Sequence, residues 1–258
     1  HTLSLHDALP ILYMESTNNI PDIFYDGNKL NPCIASPNAP YAIFFYQTRE
    51  TLFGDADIFK RFIDNAINQF RNTDFYTQYK GFLFKLGMDR CQIMGNITEE
   101  MVGSKGIEMH HNGITIFDIA VIICNHILNV KGKVCTFDII HELRKVHKNN
   151  QVPLVMLCKT MHQMYHNEEE FVIPASMCFG NWMSLIYEYM DGLTYGIAKK
   201  LFYWIKISQE HTNDENLNSE LIKVRDKILE WSDKNECSFN NNKYNCNFIP
   251  GGNTNNFQ

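Results

Sequence analysis

Apolar side chains recur at intervals of three and four residues along most of the chain, which is the spacing of one face of an α-helix. This pattern predicts helices over about 55–71, 73–87, 115–129, 136–147, 160–167, 180–190, 194–210 and 217–233. Short apolar runs bounded by turn residues predict strands at 41–46, 152–157 and 171–173. The expected fold class is mainly α (α+β), a helical domain with a small strand–strand–helix unit embedded in it.

Start and stop residues support several of these helix bounds. Thr115, followed three residues later by Asp118, resembles a capping box and predicts a helix start. Gly87 is expected to end the predicted helix 73–87, and Gly132 to break the chain after the predicted helix 115–129. Thr136 is the candidate N-cap of the helix that follows.

Composition limits the class of protein without identifying it. The chain is 45% hydrophobic and 13% aromatic, which is enough for a packed core, and no apolar run approaches the roughly 20 residues that cross a bilayer. Eight cysteines without a CxxC pair argue against a zinc ribbon and a regular disulfide framework, so a reducing cytoplasm is expected. The net charge of −6 gives no general affinity for nucleic acid.

The segments differ enough to suggest an organisation of the chain. Residues 1–11 read like one frame of a sequencing adapter, so we expect an artefact there and exclude it from fold reasoning. The rest divides into an N-terminal strand and helical region (12–87), a strand–strand–helix unit with a helical insertion (88–175, insertion 112–150), a C-terminal helical region (176–234) and an Asn-rich disordered tail (235–258).

Two pairs of histidines are the strongest candidates for chemistry. His162 and His166 are four residues apart and share one face of the predicted helix, so both can point at one ion. His110 and His111 lie on a predicted strand, where neighbours point to opposite sides. One member of the doublet can therefore bind a metal while the other reaches a water. A helical pair at this spacing also occurs on ordinary surfaces and in packing.

The order of these elements resembles the HNH endonuclease motif, a ββα-metal finger. The resemblance rests on Glu108-Met109-His110-His111 and on the run from Pro153 to His166, and it extends to uncharacterised HNH-type proteins of phages and their bacterial hosts. Pro153 stands where the motif has a central Asn, Met161 replaces a cysteine, and the connection between the two halves is long.

The resemblance implies a role for each residue. His110, His162 and His166 would hold one divalent ion (Mg²⁺, Mn²⁺, Ni²⁺ or Zn²⁺), His111 would be the general base, and Glu108 would orient the doublet as part of the catalytic set. The implied function is hydrolysis of phosphodiester bonds in double-stranded DNA, in the cytoplasm of a bacterial or phage-infected cell. The alternatives are a non-catalytic protein with structural zinc and a decayed motif that serves as a DNA-binding or interaction module.

Overall fold

Helices dominate the computed structural model, which describes residues 46–102, 106–167 and 171–235. These residues are 67% helical and contain two small antiparallel sheets, so the predicted mainly α class with some β is confirmed. The predicted adapter segment, nearly all of the strand at 41–46, and the tail beyond Asn235 lie outside the described residues.

The helices and strands follow one another in this order along the chain: β1 (Gln47–Thr48), α1 (Arg49–Phe53), α2 (Ala56–Arg71), α3 (Asp74–Lys85), α4 (Glu99–Val102), β2 (Ile107–His111), α5 (Ile116–Lys131), β3 (Lys133–Val134), α6 (Thr136–Lys148), β4 (Leu154–Cys158), α7 (Lys159–Asn167), α8 (Trp182–Glu188), α9 (Tyr195–Glu210) and α10 (Glu215–Lys234). Short 3₁₀ turns occupy Ala175–Met177 and Met190–Gly192. Each of the predicted helices is present within a few residues of its expected bounds.

The prediction of a strand at 171–173 is wrong. These residues join no ladder among the described residues. The carbonyl of Ile173 instead accepts hydrogen bonds from the Asn112 side chain (2.9 Å) and the Trp204 indole (2.9 Å). Side chains thus satisfy a backbone group that a neighbouring strand would otherwise satisfy.

Helix α5 is apolar on nearly every side and lies at the centre of the fold. A helix of this composition is stable in water only if other elements surround it. Helices α2 and α6 and the 3₁₀ turn Met190–Gly192 pack around it. Its buried residues are Ile116, Ile119, Ala120, Val121, Ile122, Ile123, Cys124, Asn125, Ile127 and Leu128.

The ends of α5 form as the sequence predicts. The Thr115 backbone N–H donates to Asp118 Oδ2 (2.7 Å), and the Asp118 N–H donates to Thr115 Oγ1 (3.1 Å), which completes the capping box. Gly132 ends the helix at φ 71°, a left-handed conformation that glycine adopts without strain. The cap of α6 is one residue earlier than predicted, because Cys135, not Thr136, donates its N–H to Asp138 Oδ2 (2.9 Å).

The predicted strand–strand–helix arrangement is also present. Strands β2 and β4 pair antiparallel, with Ile107 opposite Cys158 and His111 opposite Leu154. Every residue of β4 is buried, and α7 begins directly after β4 without a loop. The sheet is therefore part of the core, and α7 packs against both of its strands.

Gly192 lies so close to α5 that there is no room for a side chain at this position. The Asn125 amide donates to the Gly192 carbonyl (3.1 Å), and a Cβ on Gly192 would lie 2.0 Å from the backbone oxygen of Ile122. A backbone oxygen inside a helix cannot move aside as a flexible side chain can. The turn must therefore shift away from α5 if a methyl group is added.

We expect Gly192→Ala to lower the free energy of unfolding by about 1–3 kcal/mol, because overpacking a tight contact costs that much. Urea unfolding followed by circular dichroism measures it. Gly95→Ala is the matched control, since a Cβ there meets nothing within 4 Å, and it should change stability by less than about 0.5 kcal/mol. Equal stabilities of the two variants would contradict the tight packing of Gly192.

Candidate metal centre

The fold brings His110, His162 and His166 together. One potential ligand nitrogen from each of the three side chains lies within 4.8 Å of the other two. The Nε2 atoms of His162 and His166 are 3.1 Å apart, and the His110 ring centroid lies 4.9 Å from that of His162 and 5.3 Å from that of His166. The pairing of strand and helix that the sequence predicts therefore places these three predicted ligands in one cluster.

The local sequence explains why these side chains meet. His110 lies opposite Val155 in the β2–β4 ladder, and its side chain points to the face against which α7 packs. His162 and His166 are one turn apart on α7 and present the same face to the strand. Because α7 follows β4 without a loop, the chain itself holds α7 next to β4. The pairing of β4 with β2 then places α7 beside His110.

Two further side chains fix the rings. Glu108, two residues before His110 on the same face of β2, contacts His162 Nδ1 through its carboxylate. This contact leaves His162 Nε2 as the nitrogen that faces the cluster. Tyr165 packs edge-on against His110, with ring centroids 4.4 Å apart. Glu108, which the sequence placed in the catalytic set, is thus positioned to orient a histidine of the cluster.

Burial separates His110 from its two neighbours. His110 is only 6% exposed, whereas His162 is half-buried and His166 is exposed. Burial, together with the nearby His162, His166 and Lys200, lowers the pKa of His110 to about 3. The His110 Nε2 atom is buried and has no hydrogen-bond partner among the described residues. A buried polar atom in that state is costly and unusual in a folded protein.

His111 does not belong to this cluster. It points to the opposite side of β2, where its Nε2 lies 3.0 Å from Nε2 of His147 on α6. His147 Nδ1 donates to the Leu143 carbonyl (2.7 Å), so its Nε2 accepts the hydrogen from His111. Both rings are buried, and burial is the largest cause that lowers their pKa values, that of His147 to about 4. The residue predicted as general base is enclosed in the core.

Asn112 is a structural residue that reasoning from the sequence missed. It follows the doublet and is fully buried. Its backbone N–H donates to the Pro153 carbonyl (3.0 Å), and its side chain donates to the Ile173 carbonyl and to the Cys178 sulfur (3.0 Å). Asn112 therefore ties the end of β2 to both flanking segments. An Asn beside a doublet gives no local periodic signal by which this role could be found.

Comparison with known proteins identifies the family. A family model described as bacteriophage G278-like virion protein matches residues 38–235. The chain belongs to this family. The matched residues include all three described ranges. No curated protein and no solved structure matches the chain.

This membership shows that the assignment to HNH endonucleases, and the nuclease function inferred from it, were wrong. The family is one of virion proteins, so the predicted hydrolase and its DNA-cleaving reaction are wrong, and the match does not support either alternative function built on the same motif. Glu108 and His111 lose the catalytic roles that only the resemblance gave them. The association with phages is correct.

Other expectations stand on different ground. Among the described residues, no helix is both long and apolar enough to span a membrane. Binding of double-stranded DNA and a location in the host cytoplasm stay predictions. The divalent ion is also untested by the family, because the description of the family mentions no metal.

The buried His147 should make the protein less stable in acid. In the unfolded chain a histidine has a pKa near 6.5, whereas in the fold that of His147 is about 4, so the unfolded state binds more protons below pH 6.5. Stability is therefore full above pH 6.5 and falls as the pH drops toward 4. Between pH 7 and 5 we expect this residue alone to cost about 2 kcal/mol.

The measurement is urea unfolding at pH 7 and pH 5 for the wild type, His147→Gln and the exposed control His211→Gln. The titratable groups that face His147 are the His111 ring and the rings of Tyr76 and Tyr79. The charge of Arg71 contributes to the lowered pKa of His111. His147→Gln should lose less stability on acidification than the other two proteins. The same loss in all three would show that His147 does not titrate with a lowered pKa.

Proposed function

We propose that the protein is a structural component of the bacteriophage particle. The observation that carries this proposal is the family match over residues 38–235, which includes every described helix and strand. A match of this extent supports a role for the whole fold and not for one grafted segment. The phage particle is then the place where the protein acts.

The packing of the fold agrees with such a role. Buried apolar residues from Leu52 in α1 to Trp231 in α10 form one continuous cluster. Strand β4 and the first turn of α7 contribute to that cluster through Leu154 and Met161. The strand–strand–helix unit is therefore an internal support of the molecule. A particle component must keep its shape while neighbours pack against it, and a single extended core provides that rigidity.

We expect the protein to remain with density-gradient-purified particles after protease treatment that removes adsorbed proteins. Quantitative mass spectrometry should give a constant ratio to the major capsid protein across the gradient fractions. The structural reason is that a component built into the particle has a fixed number of copies, whereas an adsorbed protein does not.

A phage lacking the gene, complemented from a plasmid, supplies the matched comparison. Wild-type protein and Gly95→Ala should be incorporated equally, and Gly192→Ala less, since its fold is weakened at α5. If the protein is abundant in infected cells but depleted from purified particles, it is not a structural component of them.

A further inference from the structure

We propose that His110, His162 and His166 bind one divalent transition-metal ion, each through one ring nitrogen. The inference does not rest on the nuclease resemblance, which is wrong, and does not depend on the role in the particle. It rests on the position of the three rings, on one buried nitrogen without a partner, and on the carboxylate that holds the second ring.

The distances are close to those that an ion requires. With zinc–nitrogen bonds of 2.0–2.1 Å, two ligands of a tetrahedral site have nitrogens about 3.3–3.4 Å apart. The Nε2 atoms of His162 and His166 are 3.1 Å apart, already near that value. All three candidate ligand nitrogens lie within 4.8 Å of one another, so His110 would have to come closer to the other two by about 1.5 Å at most to complete the site.

The unpartnered Nε2 of His110 points to a ligand. That atom is buried and accepts or donates no hydrogen bond among the described residues. The cluster offers imidazoles from His162 and His166 on one side and the ring of Tyr165 on another. A metal ion bound between the three imidazoles would give this buried nitrogen a partner.

Glu108 supplies the support that metal-binding histidines usually have. Its carboxylate holds Nδ1 of His162, which fixes the ring and turns Nε2 toward the cluster, where it can bind the ion. The negative charge also offsets part of the charge of a divalent cation. Glu108 and His110 are two residues apart on β2, so their side chains lie on the same face of the strand. Both contact residues of α7 from that face.

The ligand set selects the kind of ion. Three neutral imidazoles favour zinc, nickel, cobalt or copper, whereas magnesium and calcium prefer oxygen ligands. His166 is exposed, so the remaining coordination positions are open to water. An ion in this position would cross-link β2 to α7 and stabilise the contact between strand and helix.

The test uses the full chain, freed of metal by chelation and dialysis. Isothermal titration with Zn²⁺ and Ni²⁺, and the visible absorption of Co²⁺, measure binding, while the melting temperature measures the stabilising effect. We expect binding of one equivalent that depends on the cluster and raises the melting temperature, with no comparable effect of Mg²⁺.

The variants separate loss of the site from loss of the fold. His166→Gln changes an exposed ligand, so circular dichroism should show an intact fold while the binding and the rise in melting temperature disappear. Glu108→Gln should weaken binding by about 10- to 100-fold. His211→Gln, an exposed histidine that bonds the Ile207 carbonyl on α9, should bind like the wild type.

Two results would overturn the proposal. One is that the wild type binds Zn²⁺ and Ni²⁺ no better than folded His166→Gln, which would leave the three histidines as a hydrogen-bonded packing cluster. The other is that binding persists unchanged in a variant that combines His162→Gln and His166→Gln, which would assign the metal to a different part of the chain.

Discussion

The burial of helix α5 is the constraint on which the rest of the structure depends. A sixteen-residue helix with apolar residues on nearly all sides is not stable alone, so other elements must enclose it. Helices α2 and α6 lie on it, and Gly192 approaches so closely that its place cannot hold even a methyl group. The capping box at Thr115 and the glycine at 132 fix where this helix begins and ends. Strand β3 starts directly after Gly132, so the end of this helix also sets where β3 begins.

The histidine cluster is a product of the same packing. Gly113 adopts φ 75° beside the ring of Trp204, and a Cβ there would lie 2.3 Å from that ring. This close contact brings the end of β2 against α9, while Asn112 holds it to the segment around Ile173. With β2 fixed, the His110 ring packs against His162, Tyr165 and His166 of α7. The proposed metal centre is therefore built on rigid elements and not on a loop.

For the histidine doublet, the prediction of side-chain orientation was correct, whereas the function inferred from it was wrong. Alternation along a strand does place His110 and His111 on opposite sides, and the i, i+4 spacing does align His162 with His166. Those relations are geometric and hold in any protein. The step from them to a nuclease depended on likeness to a short motif, and the family match over most of the chain contradicts it. The side that was to hold an attacking water is filled by His147 from α6.

The sequence by itself determined the helices, both ends of α5 and the faces on which the histidines lie. It did so because hydrophobic periodicity, capping boxes and glycine conformation act over a few residues. Only the tertiary structure decided that side chains, and not a neighbouring strand, bond the backbone at 171–173. It also decided that His111 pairs with His147 and that Asn112 bonds the Ile173 carbonyl. Each joins residues more than thirty positions apart, and no local pattern records which distant group will satisfy a buried polar atom. Whether three histidines face one another is settled by how β2, β4 and α7 pack, since spacing fixes the face of each element but not its neighbour.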